Sequence, residues 1–235
     1  MDLSRVRLFA EKYSKTDVLK YALLNVDVVI ENPHQGQEKW RVIGRPLEAA
    51  LVKSAAKFGV FLPALRKELE IVDYLPFTSK NKYSASLVSD GSDFAYVLTV
   101  FGAPEILLKL CFFPEAKKKE ILREVDKMAY SGERVLGVAV RKIKSGKEIS
   151  LRDKENFCEL EFLGTLSFRD PVRPGAKESI AKVNLAGIKT IIVTGDHRGT
   201  AEAVARELGF TVERDQVIDG PELDALSDEE LKRKL

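Results

Sequence analysis

Near Asn156 the sequence changes texture, and the two textures ask for different kinds of sheet. Residues 1–156 interleave helical patterns with short β-rich runs. Lys39–Gly44 and Ile71–Phe77 read as strands, and Ser84–Val88 followed by Phe94–Phe101 reads as a hairpin across Asp90-Gly91. Leu47–Phe58 and Ala116–Ser131 are amphipathic helices; Gly132 closes the second, and a strand over Arg134–Lys142 follows. The Lys- and Glu-rich stretch Ile143–Glu155 reads as a loop with a short helix. Helices set against a mainly antiparallel sheet make an α+β unit.

Residues 157–235 alternate strictly between strand and helix. Leu160–Phe168 reads as a strand, and a helix opened by Pro174 ends at Gly187. Thr190–Val193 is wholly apolar apart from its threonine, as a strand buried on both faces would be. Thr200–Leu208 carries Ala201, Val204, Ala205 and Leu208 on one helical face, Gln216–Ile218 is a third short strand, and Ser227 with Glu230 forms a capping box for a last helix. This βαβαβ layout implies a parallel, doubly wound, Rossmann-like sheet, and so few strands make only part of one. The expected class is therefore α/β: an α+β antiparallel-sheet domain over residues 1–156, then a partial doubly wound domain over 157–235.

Composition narrows the function. With 38 Lys and Arg against 36 Asp and Glu, the net charge of +2 supplies no field for nucleic acid. Two separated cysteines, Cys111 and Cys158, and two histidines exclude a disulfide framework and argue against a Cys/His metal site. The longest apolar stretches, such as Tyr21–Ile30, fall short of the ~20 residues a membrane span needs. Asp2, Glu11 and Lys12 interrupt any leader-like apolar run, so a soluble, cytoplasmic chain is expected.

Four segments can carry chemistry. Val193-Thr194-Gly195-Asp196-His197 follows a short strand and precedes a helix, where open parallel sheets bind ligands and where helix N–H groups meet anions. Taken alone, a tight turn with a helix cap is the stronger account of those residues. Asp170-Pro171-Val172-Arg173-Pro174 reads as a rigid hinge. Phe101-Gly102-Ala103-Pro104-Glu105 allows close approach of a flat ligand, and a strand ending in a turn explains it equally well. Phe77, beside Lys80 and Lys82, can stack on a base, or it can be a core residue beside a solvated basic turn.

In their order and spacing these segments resemble the cytoplasmic part of P-type cation-transporting ATPases. Gly44-Arg45-Pro46-Leu47-Glu48 is similar to the family's Gly-Asp-Pro-x-Glu, and Phe77-Thr-Ser-Lys-Asn-Lys82 to Phe-x-Ser-x-Arg-Lys. Gly102-Ala-Pro-Glu105, Gly132-Glu-Arg134-Val-Leu136, Asp170-Pro-Val-Arg173 and Ala186-Gly-Ile with Thr194-Gly-Asp-His197 match further family elements. The resemblance implies an ATP-binding N domain followed by part of a haloacid-dehalogenase-like phosphorylation (P) domain. Phe77 would stack on adenine, with Glu48 at the base edge and Lys82, Phe101, Gly102 and Ala103 lining the pocket. Arg134 would reach the phosphates. Thr194, Gly195 and Asp196 would meet the γ-phosphate and Mg²⁺, and Asp170 and Arg173 would form the hinge.

Departures from the family pattern are equally informative. The Asp-Lys-Thr-Gly-Thr that accepts phosphate, the Mg²⁺-binding Gly-Asp-Gly-x-Asn-Asp and the Thr-Gly-Glu loop do not occur. Phe101 stands where the family has Lys, as a second aromatic wall of the pocket, and Arg45 stands where it has Asp, on the pocket rim. The expectation is an ATP-binding fragment of a cation translocase, with magnesium used in the full-length parent, no metal ligands of its own and no ability to phosphorylate itself. Its partners would be ATP and the remaining P, actuator and membrane domains of a parent pump, and both ends of this chain would fall inside that pump's P domain. The element set is closer to calcium, magnesium or proton pumps than to the heavy-metal branch. The alternative is a stand-alone, non-catalytic nucleotide-binding or regulatory protein derived from such a pump. A haloacid-dehalogenase phosphatase ranks last, for want of a nucleophilic Asp after a first strand.

Overall fold

Six runs with alternating side-chain directions pair into one antiparallel sheet: β1 (Asp2–Leu8), β4 (Glu70–Leu75), β5 (Tyr83–Ser89), β6 (Ala95–Gly102), β7 (Arg134–Lys144) and β8 (Glu161–Arg169), in the order β1-β8-β7-β6-β5-β4. A separate ribbon joins β2 (Val29–Ile30) to β3 (Val42–Ile43). The computed structural model describes residues 1–89, 95–144, 150–194, 198–213 and 216–234. They fall into two units, one of Met1–Asp126 with Arg134–Asp170 and one of Lys127–Glu133 with Pro171–Leu235.

In the first unit, α1 (Lys15–Leu23), α2 (Pro46–Lys57) and α3 (Leu62–Glu68) share one buried cluster with a face of the sheet. Val18, Leu19, Leu51 and Ala55 meet Phe101, Val138, Val140 and Phe168 there. Ser14 starts α1 through a capping box with Asp17, and Pro46 starts α2 at a position where its missing N–H costs nothing. Strand alternation turns Leu98, Val100, Ala139 and Phe162 to the opposite face, where they are also buried. There α4 (Pro104–Leu110) covers the sheet: Leu107 and Phe162 close over Gly137, leaving no room for a Cβ.

The covered sheet faces explain why β6 and the first half of β7 read as nearly continuous apolar runs. The seam under α1 is polar, however, and its hydroxyls terminate the helix. Thr99 Oγ1 and Asn25 Nδ2 both donate to the Tyr21 carbonyl at 2.9 Å, and Ser86 Oγ donates to the Leu24 carbonyl at 2.7 Å. The last carbonyls of a helix lack partners within it, and a buried end needs such donors.

Several expectations change. Leu160–Phe168 is not the first strand of a parallel domain; as β8 it lies between β1 and β7, so the first unit runs on to Asp170 rather than ending at 156. The Lys39–Gly44 strand shrinks to β3, preceded by a 3-10 turn over Gln37–Lys39. The Asp90-Gly91 turn lies outside the described residues, though β5 and β6 pair throughout as a hairpin requires. Around Ala116–Ser131 and Gly132 the expectation holds: α5 is Glu115–Tyr130, and Gly132 follows it with φ +81°.

The second unit contains α6 (Ala176–Leu185), α7 (Arg198–Leu208), α8 (Gly220–Ala225) and α9 (Asp228–Lys234), and no strand among its described residues. Thr190–Val193 forms no strand, and Val193 is 91% exposed where a doubly covered strand was expected. Gln216–Ile218 likewise forms no strand. An apolar run becomes a buried strand only when neighbours supply ladder hydrogen bonds and cover, and the described residues of this unit contain no strand to pair with it. Pro174 lies outside α6, two residues before its first residue rather than in its first turn, with Gly175 in the N-cap position at φ +82°. On α7 the buried polar residue is Glu202, held by Arg198, Arg206 and Tyr130 at 3.1, 2.9 and 3.2 Å.

Asn25 is fully buried and donates to both Tyr21 and Thr99. Asn25→Ala is expected to destabilise the first unit by about 1–3 kcal/mol, the cost of stranding buried polar partners. A lower urea midpoint at unchanged m-value is the readout.

Candidate functional site

One edge of the sheet gathers most of the sequence-predicted residues. In the antiparallel order β4 ends where β5 begins, β6 ends where β7 begins, and β8 ends beside them. Phe77 lies two residues beyond β4, Lys82 just before β5, Gly102 and Ala103 at the end of β6, and Arg134 at the start of β7. Chain segments up to 57 residues apart in number thus meet through register alone.

Register also sets the face. Tyr74 opposes Ser86, Ser84 opposes Phe101, and Phe101 opposes Val138, two pleats from Arg134. Tyr74, Ser84, Phe101 and Arg134 therefore share the face that α1 and α2 cover. The Tyr74 hydroxyl lies 3.4 Å from the Asn25 carbonyl, and Ser84 Oγ can donate to the carbonyl of Asn25 or of Phe101, each at 3.3 Å.

Between β4 and β5 the chain closes a tight turn. Lys82 N donates to the Thr78 carbonyl at 2.8 Å, Asn81 N to Thr78 Oγ1 at 3.1 Å, and Lys82 itself has φ +60°. Ala103 N then donates to the Lys82 carbonyl at 2.9 Å. A Cβ on Gly102 would stand 2.4 Å from that carbonyl oxygen and 2.5 Å from Tyr83 Cα. The glycine is required by this close approach, which joins Lys82, Gly102 and Ala103 into one backbone cluster.

The N-terminal turn of α2 brings Arg45 and Glu48 to Phe77. The Arg45 guanidinium carbon lies 5.3 Å from the Phe77 ring centroid, and Arg45 Nη2 donates to Glu48 Oε1 at 2.5 Å. Glu48 is 5% exposed, and its Oε2 is buried with no hydrogen-bond donor among the described residues. A buried carboxylate oxygen without a donor is costly and points to an incoming donor. The hydrogen bond to Glu48 raises the Arg45 pKa, so Arg45 stays cationic. Burial, and then the Glu48 charge, push the Tyr74 phenol above its ordinary value.

The remaining expectations fare differently. Phe101 is 5% exposed within the core cluster, so its ring is not an open wall of the site. Arg134 is exposed at the strand start. Asp170 pairs with the Met1 amino group at 3.1 Å, and Arg173 accepts from Ala176 N through its carbonyl. Thr194 is exposed, whereas Gly195 and Asp196 lie outside the described residues. Cys111 is buried, and desolvation pushes its thiol up to about 12, which keeps it protonated at neutral pH. Among the described residues no three His, Cys, Asp or Glu side chains group as metal ligands, and no helix is long and apolar enough to cross a membrane. Open concavities of about 460 and 360 Å³ lie elsewhere on the first unit, along α2 at Lys53 and between Lys20 and Phe61, and neither includes Phe77 or Glu48.

Arg45 is the site residue that sequence reasoning misplaced: a rim substitution by pattern, it lies over the aromatic face in the structure. Tyr74, Ser84 and Asn25 were missed, although the alternation of β4 and β5 already puts Tyr74 and Ser84 on one face.

An aromatic ring, a buried acceptor and cations lie at one edge of an α+β domain, and the comparisons specify the family. The family model of the P-type ATPase cytoplasmic domain N matches residues 15–175. The chain belongs to that family. It is 34% identical over 227 residues to a protein named calcium-transporting ATPase 1 of Lactococcus lactis, covering 91% of this chain and 25% of that protein. It is 35% identical over 199 residues to the sodium/potassium-transporting ATPase subunit alpha of Drosophila melanogaster, covering 77% and 19% respectively. A calcium-transporting ATPase of Bacillus subtilis is 31% identical over 198 residues, 80% of this chain and 22% of the relative. The chain thus spans about a quarter or less of the length of these relatives.

Gly102→Ala is expected to force β6 and the Lys82 turn apart, at a cost of about 1–3 kcal/mol. Amide shifts spreading from Lys82 to Phe77, with a lowered unfolding midpoint, are the measurements.

Proposed function

We propose that this chain is the ATP-binding cytoplasmic portion of a cation-transporting P-type pump, binding nucleotide mainly through its base. The observation that carries this reading is that Arg45 links the Phe77 ring to Glu48, whose buried Oε2 has no donor among the described residues. An aminopurine supplies what both need: a flat face for Phe77 and an exocyclic N–H for Glu48 Oε2. Lys82 and Arg134, at the same sheet edge, add positive charge for the phosphates. Gly102 and Ala103 hold the Lys82 turn in place.

Transport is proposed for the parent pump, because the relatives are named for calcium and for sodium/potassium and are four to five times longer. We assign residues 171–235 to part of its P domain on the Thr194-Gly195-Asp196-His197 element, with Asp170 and Arg173 as the hinge. Magnesium in that pump would assist phosphoryl transfer. The described residues here bring no carboxylate cluster together to hold it, so no step in this chain is assigned to it. Remaining P, actuator and membrane domains would be the partners, and the location cytosolic.

Weak binding follows from one stack and a few hydrogen bonds, with a Kd for ATP of roughly 0.1–1 mM. Phe77→Ala should remove about 1–3 kcal/mol, the worth of a base–aromatic stack, while Asp196→Ala should change binding little. Fluorescence or NMR titration makes the comparison; binding that survives Phe77→Ala and is lost in Asp196→Ala would move the ligand to the Thr-Gly-Asp turn.

The chain itself should form no acyl-phosphate, because phosphoryl transfer needs a positioned nucleophile that the family motif would supply and this sequence lacks. Incubation with labelled ATP and Mg²⁺ followed by acid quenching should leave no hydroxylamine-sensitive label. A stable label on any Asp would overturn the assignment.

A further inference from the structure

Arg45 engages, with one side chain, the same two surfaces that the proposed base would use. Its guanidinium lies over the Phe77 ring at 5.3 Å and hydrogen-bonds Glu48 Oε1 at 2.5 Å. A guanidinium is planar and delocalised, carries N–H donors in its plane and stacks on aromatic faces. An aminopurine edge has the same features. We infer that Arg45 is a resident surrogate for the base, holding Phe77 and Glu48 in the free chain, and that it must leave before a nucleoside can stack. The inference rests on the nucleotide-binding reading above and adds to it a residue that sets affinity.

Distance separates displacement from a sandwich. A base held between ring and guanidinium needs two contact layers of about 3.5 Å each, or ~7 Å in all. The observed 5.3 Å leaves no room for a base between the guanidinium and the ring face it covers while Arg45 stays in place. Mobility is also unequal between the partners. Arg45 is the N-cap residue of α2, makes no side-chain capping bond, and has a side chain 49% exposed, so its departure breaks no helix hydrogen bond. Glu48 sits inside the first turn of α2 with its side chain 7% exposed, and it stays. Once Arg45 has left, neither Glu48 oxygen has a donor, and the base amino group replaces the lost one.

Adenosine is the appropriate probe, since a neutral ligand separates the surrogate from any attraction between Arg45 and phosphate. Titrated into the full chain and into Arg45→Ala, it should bind the variant about 3- to 10-fold more tightly, the worth of one half-exposed cation–π contact and ion pair. Arg45→Gln, which keeps a planar donor but no charge, should fall between, and it serves as the second variant if Arg45→Ala does not fold. In the ¹⁵N-labelled natural chain the Arg45 Nε–H resonance should start shifted by the Phe77 ring current and lose that shift as adenosine binds. Equal or weaker affinity in Arg45→Ala, with binding still abolished by Phe77→Ala, overturns the surrogate and leaves the base site standing. Adenosine binding that persists in Arg45→Ala/Phe77→Ala, or that is absent from every chain, overturns both.

Discussion

The buried hydroxyl seam beneath α1 is the constraint on which the site depends. A helix that ends against a sheet brings carbonyls with no partners of their own, and in an apolar core they would make that end unstable. Here Thr99, Ser86 and the Asn25 amide supply the donors, and Ser84 reaches the Asn25 carbonyl. The seam therefore fixes both where α1 stops and the direction in which the chain leaves it. Arg66 extends the hold by donating to the carbonyls of Val26 and Val28 at 3.3 and 3.2 Å. The β2–β3 ribbon and the start of α2 follow from that exit, and with them the positions of Arg45 and Glu48.

The second support is backbone against backbone. Gly102 lies against Lys82 and Tyr83 with no room for a side chain, so the end of β6 and the turn before β5 move as one piece. A platform on a free loop would lose stacking energy to conformational entropy. Phe77 instead stands on a turn closed by Thr78 and Lys82 and anchored through Ala103 N. Sheet and helix thus deliver a pre-arranged aromatic face linked through Arg45 to a buried carboxylate.

The two units show how far periodic pattern can be trusted. For α2, α5 and β7 the 3.6- and 2-residue periods matched the observed elements to within about two residues, because each buries one face against a neighbour that lies in this chain. For Thr190–Val193 the apolar pattern is equally clear, yet the segment forms no strand and Val193 is exposed. A strand is a property of pairs, and no partner strand occurs among the described residues of that unit. Leu160–Phe168 makes the complementary point: its strand character was legible, but its partners were not. It joined β1 and β7 in an antiparallel sheet, and the boundary moved with it.

By itself the sequence determined the α+β character of the first unit, the order of its helices and strands, and the family, since Glu48, Phe77, Lys82, Gly102 and Arg134 stand in recognisable motifs. Those motifs are local, and local pattern is what a linear chain displays. Tertiary structure alone decided which residues meet. Register carried Tyr74 and Ser84 to the face of the site, drew Phe101 into the core, and set Gly102 against Lys82. It also decided the role of Arg45, whose charge suggested only a solvated rim. No spacing rule relates position 45 to position 77. Their contact follows from the exit angle of α1, the start of α2 and the end of β4, each set by hydrogen bonds between segments distant in the chain.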